Sequence, residues 1–392
     1  MPTELISEIG SSGAVPGMRI GEIRTPCLLL DLDRLERTMV EFPARVTRHG
    51  VTFRPHVKTC KNTEIGRLLQ EAAGSPGIAV AKVAEAEVFA AAGFRDIVVA
   101  YPVVGEEKWA RIANLARQGA RMTVNFDSEI AARGISKAAT AAGTLIHLQM
   151  EINAGMNRCG LWYEDIEGIA RLARYAGGLP GLDFEGITTH RQVFYDGVTT
   201  VPEAGHSEGR LMTGIAQQLR SAGIPVRQVT GGGTIVGPYV AEIPGMTEVR
   251  SGTYVAFDLM NVNLGTIRRD DVALSVLTTV QSRWGADTGT CDAGSKTFSG
   301  DRGVVGTGAG IPQVVELKGM AEEVSRDIWI ERLTEEHGMF RCGAGENPQI
   351  GEKLRFYPYH ACTPINLADE YVGVRGDVVE KVFRVEARGK RT

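Results

Sequence analysis

The stretch Val51-Thr52-Phe53-Arg54-Pro55-His56-Val57-Lys58-Thr59-Cys60-Lys61 decides how this chain is read. A short β-run gives way there to a helical segment, and Lys58 stands at the changeover. A lysine at the carboxyl end of a barrel strand is well placed to form a Schiff base. Most lysines at strand ends are solvated instead, and Lys61, three residues on, is read that way. Position alone does not make Lys58 catalytic; the rest of the chain must supply its companions.

Outward from this stretch, apolar strand-like runs alternate with amphipathic helical segments as far as residue 265. Strands are expected near 51–57, 77–81, 96–100, 121–126, 145–152, 183–189, 226–230 and 247–256. Helices are expected over 32–48, 62–73, 82–92, 107–118, 128–142, 163–175 and 207–222. Gly74, Gly93, Gly119, Gly143 and Gly223 follow several of them closely, as helix C-termini prefer. Eight strands in β/α alternation point to an α/β fold, a parallel (β/α)8 barrel. A doubly wound open sheet is the alternative, but no GxGxxG follows the first strand. Beyond 265 the runs 272–284, 288–292, 327–332, 353–359 and 371–385 read as strands joined by turns. The expected division is a barrel over 27–265 and a second, mostly β domain over 266–392 joined by residues 1–26. The run Cys27–Asp31 is an extra strand before the first barrel helix.

Composition bounds the function classes. Of the 392 residues, 43% are apolar and 23% charged, the balance of an ordinary globular protein. The net charge of −4 suggests neither nucleic acid nor an anionic membrane as partner. No apolar run is long enough to span a bilayer. Met1–Gly17 lacks a basic stretch followed by an apolar core, so export is not expected and the cytoplasm is the default. Cysteines 27, 60, 159, 291, 342 and 362 form no CxxC pair, and are expected as thiols.

On the barrel reading, strand ends share one mouth, where barrels place their chemistry. His56 and Lys58 close the first strand, Arg158 follows the fifth, and His190 and Arg191 close the sixth. Gly231-Gly232-Gly233-Thr234 follows the seventh, and Tyr254 lies on the eighth. Glycine amides can approach a phosphate closely, and barrels often bind one after strands seven and eight. Elsewhere such a run is ordinary turn punctuation. In the second domain, Tyr359-His360-Ala361-Cys362 ends a β-run. Residues i and i+2 of a strand project to one face, so His360 and Cys362 can share a metal, imidazole plus thiolate suiting zinc. An isolated His-x-Cys is more often a buried thiol beside a hydrogen-bonded histidine. Asp301, Arg302 and the Glu335-Glu336-His337-Gly338 turn are further candidates for this pocket, and equally ordinary loop residues. A Schiff-base lysine, a phosphate cradle, a partner for a ring and a metal pair form the inventory that pyridoxal 5'-phosphate requires.

As a set these residues resemble the D-threonine aldolase and D-serine (3-hydroxyaspartate) dehydratase family, pyridoxal phosphate enzymes with an alanine-racemase type of barrel and a β domain. The resemblance runs from about Arg24 onward. It rests on Arg54-Pro55-His56-Val57-Lys58-Thr59, on Gly155-Met156-Asn157-Arg158-Cys159-Gly160, and on the triple-glycine turn. Glu248-Val249-Arg250-Ser251-Gly252-Thr253-Tyr254, Asp301-Arg302-Gly303, Glu336-His337-Gly338 and His360-Ala361-Cys362 complete it. It implies that Lys58 holds the cofactor as a Schiff base, with His56 and Tyr254 nearby and Arg158 at the ring. Gly232, Gly233 and Thr234 would take the phosphate. His360 and Cys362 would hold a divalent metal (zinc, manganese or magnesium) beside the substrate's β-hydroxyl, in a homodimer. Three departures stand out. Many members carry histidine where this chain has Cys60. Aldolase-type members commonly show tyrosine where His190 stands, so His190 would take over the ring contact or act as a base. Cys362 leans towards dehydratases, whereas the glycine loop leans towards aldolases.

The implied function is a lyase on D-configured 3-hydroxy amino acids, leaning to dehydration to a 2-oxo acid and ammonia. The alternative is retro-aldol cleavage to glycine and an aldehyde. An amino-acid racemase would need two bases and no metal. A non-catalytic pyridoxal phosphate carrier would not need His360 and Cys362. A second substrate carboxylate could meet Arg191 or Arg302.

Overall fold

The computed structural model describes residues 10–191, 200–301 and 319–392. Arg302 and Gly303 lie outside the described residues.

A strand, β1 (Cys27–Asp31), leads directly into α1 (Leu32–Thr47). Asp31 caps that helix by accepting from the Arg34 N–H at 3.1 Å. Leu35, Met39, Phe42 and Val46 then fall on one helical face and are buried. The β/α series follows as β2 (Thr52–Pro55), α2 (Thr63–Ala72), β3 (Ile78–Val80), α3 (Val83–Ala91), β4 (Asp96–Pro102), α4 (Glu106–Arg117), β5 (Arg121–Phe126), α5 (Glu129–Ala142) and β6 (Ile146–Asn153). It continues through the short β7 (Leu161–Trp162), α6 (Ile166–Gly177), β8 (Leu182–Thr188), α7 (Val201–Ser221), β9 (Gln228–Gly231) and β10 (Glu248–Ser251). Asn62, Ser128, Asp165 and Thr200 cap four of these helices with their side chains. The glycines read as helix stops at 74, 93, 119, 143 and 223 all have positive φ, which a side chain would oppose.

The barrel strands are parallel, in the order β2-β10-β9-β8-β6-β5-β4-β3. The ring closes between its first and last members through a single bridge, His56 to Ala79, with Val57 N–H donating to Ala79 O at 2.9 Å. The eight-stranded parallel barrel is therefore as expected. Its lower rim, at the strand N-termini, is a ring of ion pairs. Arg54 meets Glu248 at 2.8 Å and Asp96 at 2.7 Å, and Arg121 meets Glu185.

The second unit is antiparallel. Strands β11 (Leu274–Arg283), β12 (Thr288–Cys291), β13 (Ala321–Glu323), β14 (Ile328–Leu333), β15 (Gly338–Cys342) and β16 (Lys353–Pro358) close on themselves, since β12 also pairs with β11. β17 (Glu370–Arg375) and β18 (Val378–Arg384) extend the sheet. Two expectations are corrected here. Cys27–Asp31, counted with the barrel, pairs antiparallel with β11 and parallel with β17, so it belongs to this sheet. Its Leu29, fully buried there, is the reason. The run read as one strand over 371–385 is a hairpin, turned at Gly376 with φ 58°.

Candidate active site

At the upper rim β2 stops at Pro55, and His56 makes the closing bridge. Residues Val57–Cys60 turn back on themselves, with Lys61 N–H donating to Val57 O at 2.8 Å. Lys58 thus stands on a tight turn instead of a flexible loop. It opens into a cavity of about 440 Å³ bounded by the upper strand ends and by the strand-to-helix turn after β16, a size that suits a small-molecule site. His56, Arg158, His190, Arg191, Gly232, Gly233, Thr234, His360 and Cys362 all line it.

Tyr254 does not. The expected eighth strand ends at Ser251, and Thr253–Val255 form a single 3-10 turn. The phenol is buried, stacked on Phe42 at 5.0 Å and edge-on to Phe53 at 5.1 Å. Its part in the site is through the backbone, where its N–H donates to Thr234 Oγ1 at 3.2 Å. Lys61 is corrected too. It is buried and paired with buried Glu85 at 2.9 Å.

The triple-glycine turn is shaped by close approach. Gly232 has φ 78°, and a Cβ there would lie 2.9 Å from the Gly237 backbone. A Cβ on Gly233 would lie 3.1 Å from the His190 ring. Gly232 O is 3.2 Å from His190 Nδ1; a carbonyl only accepts, so Nδ1 carries the proton and Nε2 is left as an acceptor. Burial, then the charges of Arg158 and Lys58, push His190 down to about 3. Such a group stays neutral at physiological pH and presents Nε2 to the cavity as an acceptor. Behind the turn, the buried Glu208 carboxyl accepts the Gly232 N–H at 2.5 Å. Burial raises it to about 8, against the pull of that hydrogen bond and of Arg191.

Sequence reasoning missed the polar floor of the cavity. Asn125 donates to Glu151 at 2.6 Å, and Arg250 donates to Thr188. Asn125 Oδ1, Arg250 Nη1 and Asn261 Oδ1 are buried, unpartnered and on the cavity wall. Donors and acceptors left over at the floor fit a polar ring cofactor that would complete them. The signal was present as period-two alternation, which puts Asn125 and Glu151 on the inner face of their strands.

His360 and Cys362 converge, though not by strand geometry. β16 ends at Pro358, and Cys362 opens a helix over Cys362–Leu367. The turn brings the two side chains into hydrogen bonding. Burial disfavours the His360 charge, but Cys362, Asp258 and Asp301 carry it up to about 9. Burial likewise disfavours the Cys362 thiolate, yet His360 and then Lys58 bring the thiol below its ordinary value. Thr59 Oγ1 lies 3.1 Å from the sulfur. Asp258, fully buried and also missed, accepts the N–H of Ala361 between these two residues at 3.0 Å. An imidazole and a thiolate with converging donors and a carboxylate behind them fit a divalent metal.

Asp301 accepts from Thr363 at 2.5 Å, beside this pair. Glu336 is ion-paired to Lys296, and neither it nor His337 lines the cavity. Cys60 is buried, its thiol raised to about 12 by burial, and is also off the cavity wall. Among the described residues one group of three metal-capable side chains stands together, His147, Asp183 and Glu185, on the lower rim. Its carboxylates are taken by Arg227 and Arg121, so it reads as part of the ion-pair ring.

Residues 30–259 match the family model for the alanine racemase N-terminal domain, and residues 273–374 the model for a putative serine dehydratase domain. The chain is 33% identical to a 3-hydroxy-D-aspartate aldolase of Paracoccus denitrificans (strain Pd 1222), over 96% of this chain and 95% of that one. It is 34% identical to a D-threo-3-hydroxyaspartate dehydratase of Delftia sp. (strain HT23), over 86% of this chain and 90% of the other. The crystal structure of a D-threonine aldolase from Filomicrobium marinum superposes with a TM-score of 0.83 at 29% identity, covering 97% of this chain and 100% of that one.

Proposed function

This chain belongs to the D-threonine aldolase and D-serine dehydratase family, built on the alanine racemase N-terminal domain, and from that premise we propose that it is a pyridoxal-phosphate-dependent, metal-assisted lyase of D-configured 3-hydroxy amino acids. One observation carries the reading: Lys58, from the barrel, and the His360–Cys362 pair, from the β unit, open into one cavity.

When bound, the cofactor supplies an electron sink at the substrate's Cα and the metal polarises the β-hydroxyl. Lys58 would hold the cofactor through its amine, and the same amine would serve as the base at Cα. Gly233 and Thr234 would offer backbone amides and a hydroxyl to the phosphate, while Gly232, whose own N–H is taken by Glu208, gives the turn its shape. His190, neutral, offers Nε2 as an acceptor, and Arg158 offers a cation at the ring. His360 and Cys362 would hold the metal, while Asp258 fixes the turn between them by accepting the Ala361 N–H. In dehydration the Cα–H and Cβ–O bonds break, hydroxide leaves as water with a proton, and the enamine product hydrolyses to a 2-oxo acid and ammonia.

Cys362 supports dehydration as the reaction, and its soft thiolate supports zinc ahead of manganese or magnesium. Retro-aldol cleavage is the second reading, favoured by the triple-glycine turn and by the aldolases among the relatives. We take the protein as a cytoplasmic homodimer, the first on its six unpaired thiols and the second on family resemblance. Incubating cofactor- and metal-loaded protein with D-threonine tests the reading. Ammonia with 2-oxobutanoate supports dehydration, and glycine with acetaldehyde supports aldol cleavage. The absence of both product pairs would sink the lyase.

A further inference from the structure

Branched aliphatic side chains fill most parallel barrels, but the lower half of this one is polar and holds a second cavity. On β6 and β10, Glu151 and Arg250 reach the floor of the upper cavity. Gln149 and Glu248 stand two residues earlier on the same strands, so they share that inward face one layer down. With Arg54, Asp96, Arg121 and Glu185 they line a space of about 180 Å³ at the lower rim. Two oxygens there are left over. Gln149 Oε1 and Glu248 Oε1 are buried and have no hydrogen-bond partner among the described residues, and each side chain belongs to a residue only 3% exposed. Glu248 is engaged through Oε2 alone, which accepts from Arg54 Nε at 2.8 Å. Thr230, in register with Glu248 on β9, likewise has a buried, unpartnered Oγ1. Buried acceptors are seldom left unmet.

The charge around these oxygens is uneven. Three carboxylates, Asp96, Glu185 and Glu248, face two guanidiniums, Arg54 and Arg121. Both guanidiniums are committed, Arg54 to Glu248 and Asp96, and Arg121 to Glu185 and Thr123. Adding the next neighbours leaves the same excess of one, because Asp183 cancels Arg227 below and Glu151 faces Arg250 above. One surplus negative charge and unmet oxygens, with no nitrogen or sulfur acceptor among them, describe a site for a hard, singly charged cation. A divalent ion would overshoot that charge, and its usual carboxylate ligands already serve the arginines. The space leaves room for waters to complete the ion's shell.

We propose that the lower half of the barrel is a binding site for a small monovalent cation (potassium, sodium or ammonium), which satisfies Gln149 Oε1 and Glu248 Oε1. Two strands, β9 and β8, separate β10 from β6 in the sheet, so an ion between these side chains ties the barrel across its interior. The site stands apart from the chemistry at the upper rim and does not depend on the lyase reading.

The test is urea denaturation of the cofactor- and metal-loaded protein in potassium, sodium and ammonium chloride, against tetramethylammonium chloride at equal concentration as the cation too bulky to enter. At least one small cation should raise the midpoint along a saturating curve, as a ligand bound by the folded chain alone does. Gln149→Met removes one of the two oxygens and leaves every ion pair in place. It should raise the cation concentration needed for half the effect by roughly tenfold or more. Crystals of the natural protein soaked in rubidium chloride should show an anomalous peak between Gln149 and Glu248, a readout that needs no variant. Equal midpoints in all four salts would overturn the site and leave water as the partner of both oxygens. A response that Gln149→Met leaves unmoved, or a rubidium peak only elsewhere, would also overturn it.

Discussion

Lys58, Asp258 and Glu208 are three side chains that act on the same pocket in different ways, and each has its own signature on substitution. Lys58→Ala is expected to lose covalently held cofactor, so that borohydride reduction adds no cofactor mass, and activity should fall by roughly 10²–10⁴-fold. Cofactor still fixed to the protein would remove Lys58 from its role. Asp258→Asn should weaken metal binding by roughly 10–100-fold, as loss of an outer partner does, read by competition with a chelator. Glu208 carries a pH effect. Its carboxyl titrates at about 8 in the fold, against an ordinary 4.5. Below that ordinary value both folded and unfolded chains are protonated there and nothing is lost. As pH rises towards 8 the unfolded chain ionises first, so stability is drained by on the order of a few kcal/mol. Glu208→Gln keeps an acceptor for Gly232 N–H and removes the drain. Its denaturation midpoint should exceed the natural one by more at pH 8 than at pH 5, and an equal difference at both would refute the assignment. At this scale Lys61 misleads, because its partner, Glu85, is remote in sequence. Lys58 is legible because a strand end and a turn are local features.

Elements tell the same story at longer range. The barrel strands can be read because alternation of apolar runs with capped, glycine-stopped helices is written in neighbouring residues. Two strands of the β unit, Ala321–Glu323 and Gly338–Cys342, leave no such mark. The first is three residues long with two charges, and the second carries Arg341 and opens on a glycine, so neither shows an apolar run. The last barrel strand reads too long, through Tyr254, because Val255 and Ala256 continue the apolar pattern after the chain has turned. The spacing of His360 and Cys362 pairs them correctly for the wrong geometric reason, since a helix start after Pro358 brings them together. The turn after β9 is the element most exposed to test. Gly232→Ala would place a methyl against Gly237 and Val249 at a φ only glycine holds comfortably. Affinity for pyridoxal phosphate should fall about tenfold or more, roughly the free energy of that strain, while affinity for unphosphorylated pyridoxal moves little. An equal loss for both compounds would detach the turn from the phosphate.

For the molecule as a whole, chemistry and stability sit at opposite ends of one barrel. The lower rim holds Arg54 between Glu248 and Asp96, largely out of water. Arg54→Met should cost about 3–5 kcal/mol in chemical denaturation, since two carboxylates lose their cation, and should leave cofactor binding at the far rim intact. A loss under about 1 kcal/mol would mean that the rim is solvated like a surface pair. The upper rim is assembled from both units, and no helix among the described residues is long and apolar enough to cross a membrane. Sequence pattern reveals the two units but not how they meet, because their joint contacts (Thr59 with Cys362, Lys61 with Ala387) link residues far apart in the chain. The seam between β2 and β3 has a further consequence. Where other neighbouring barrel strands share ladders, this pair is stitched by the His56–Ala79 bridge alone. A cylinder with one weak stave joint breathes there first, and the joint lies two residues from Lys58. Slow amide exchange at Val57 would then be a gauge of occupancy, quickening whenever the pocket empties.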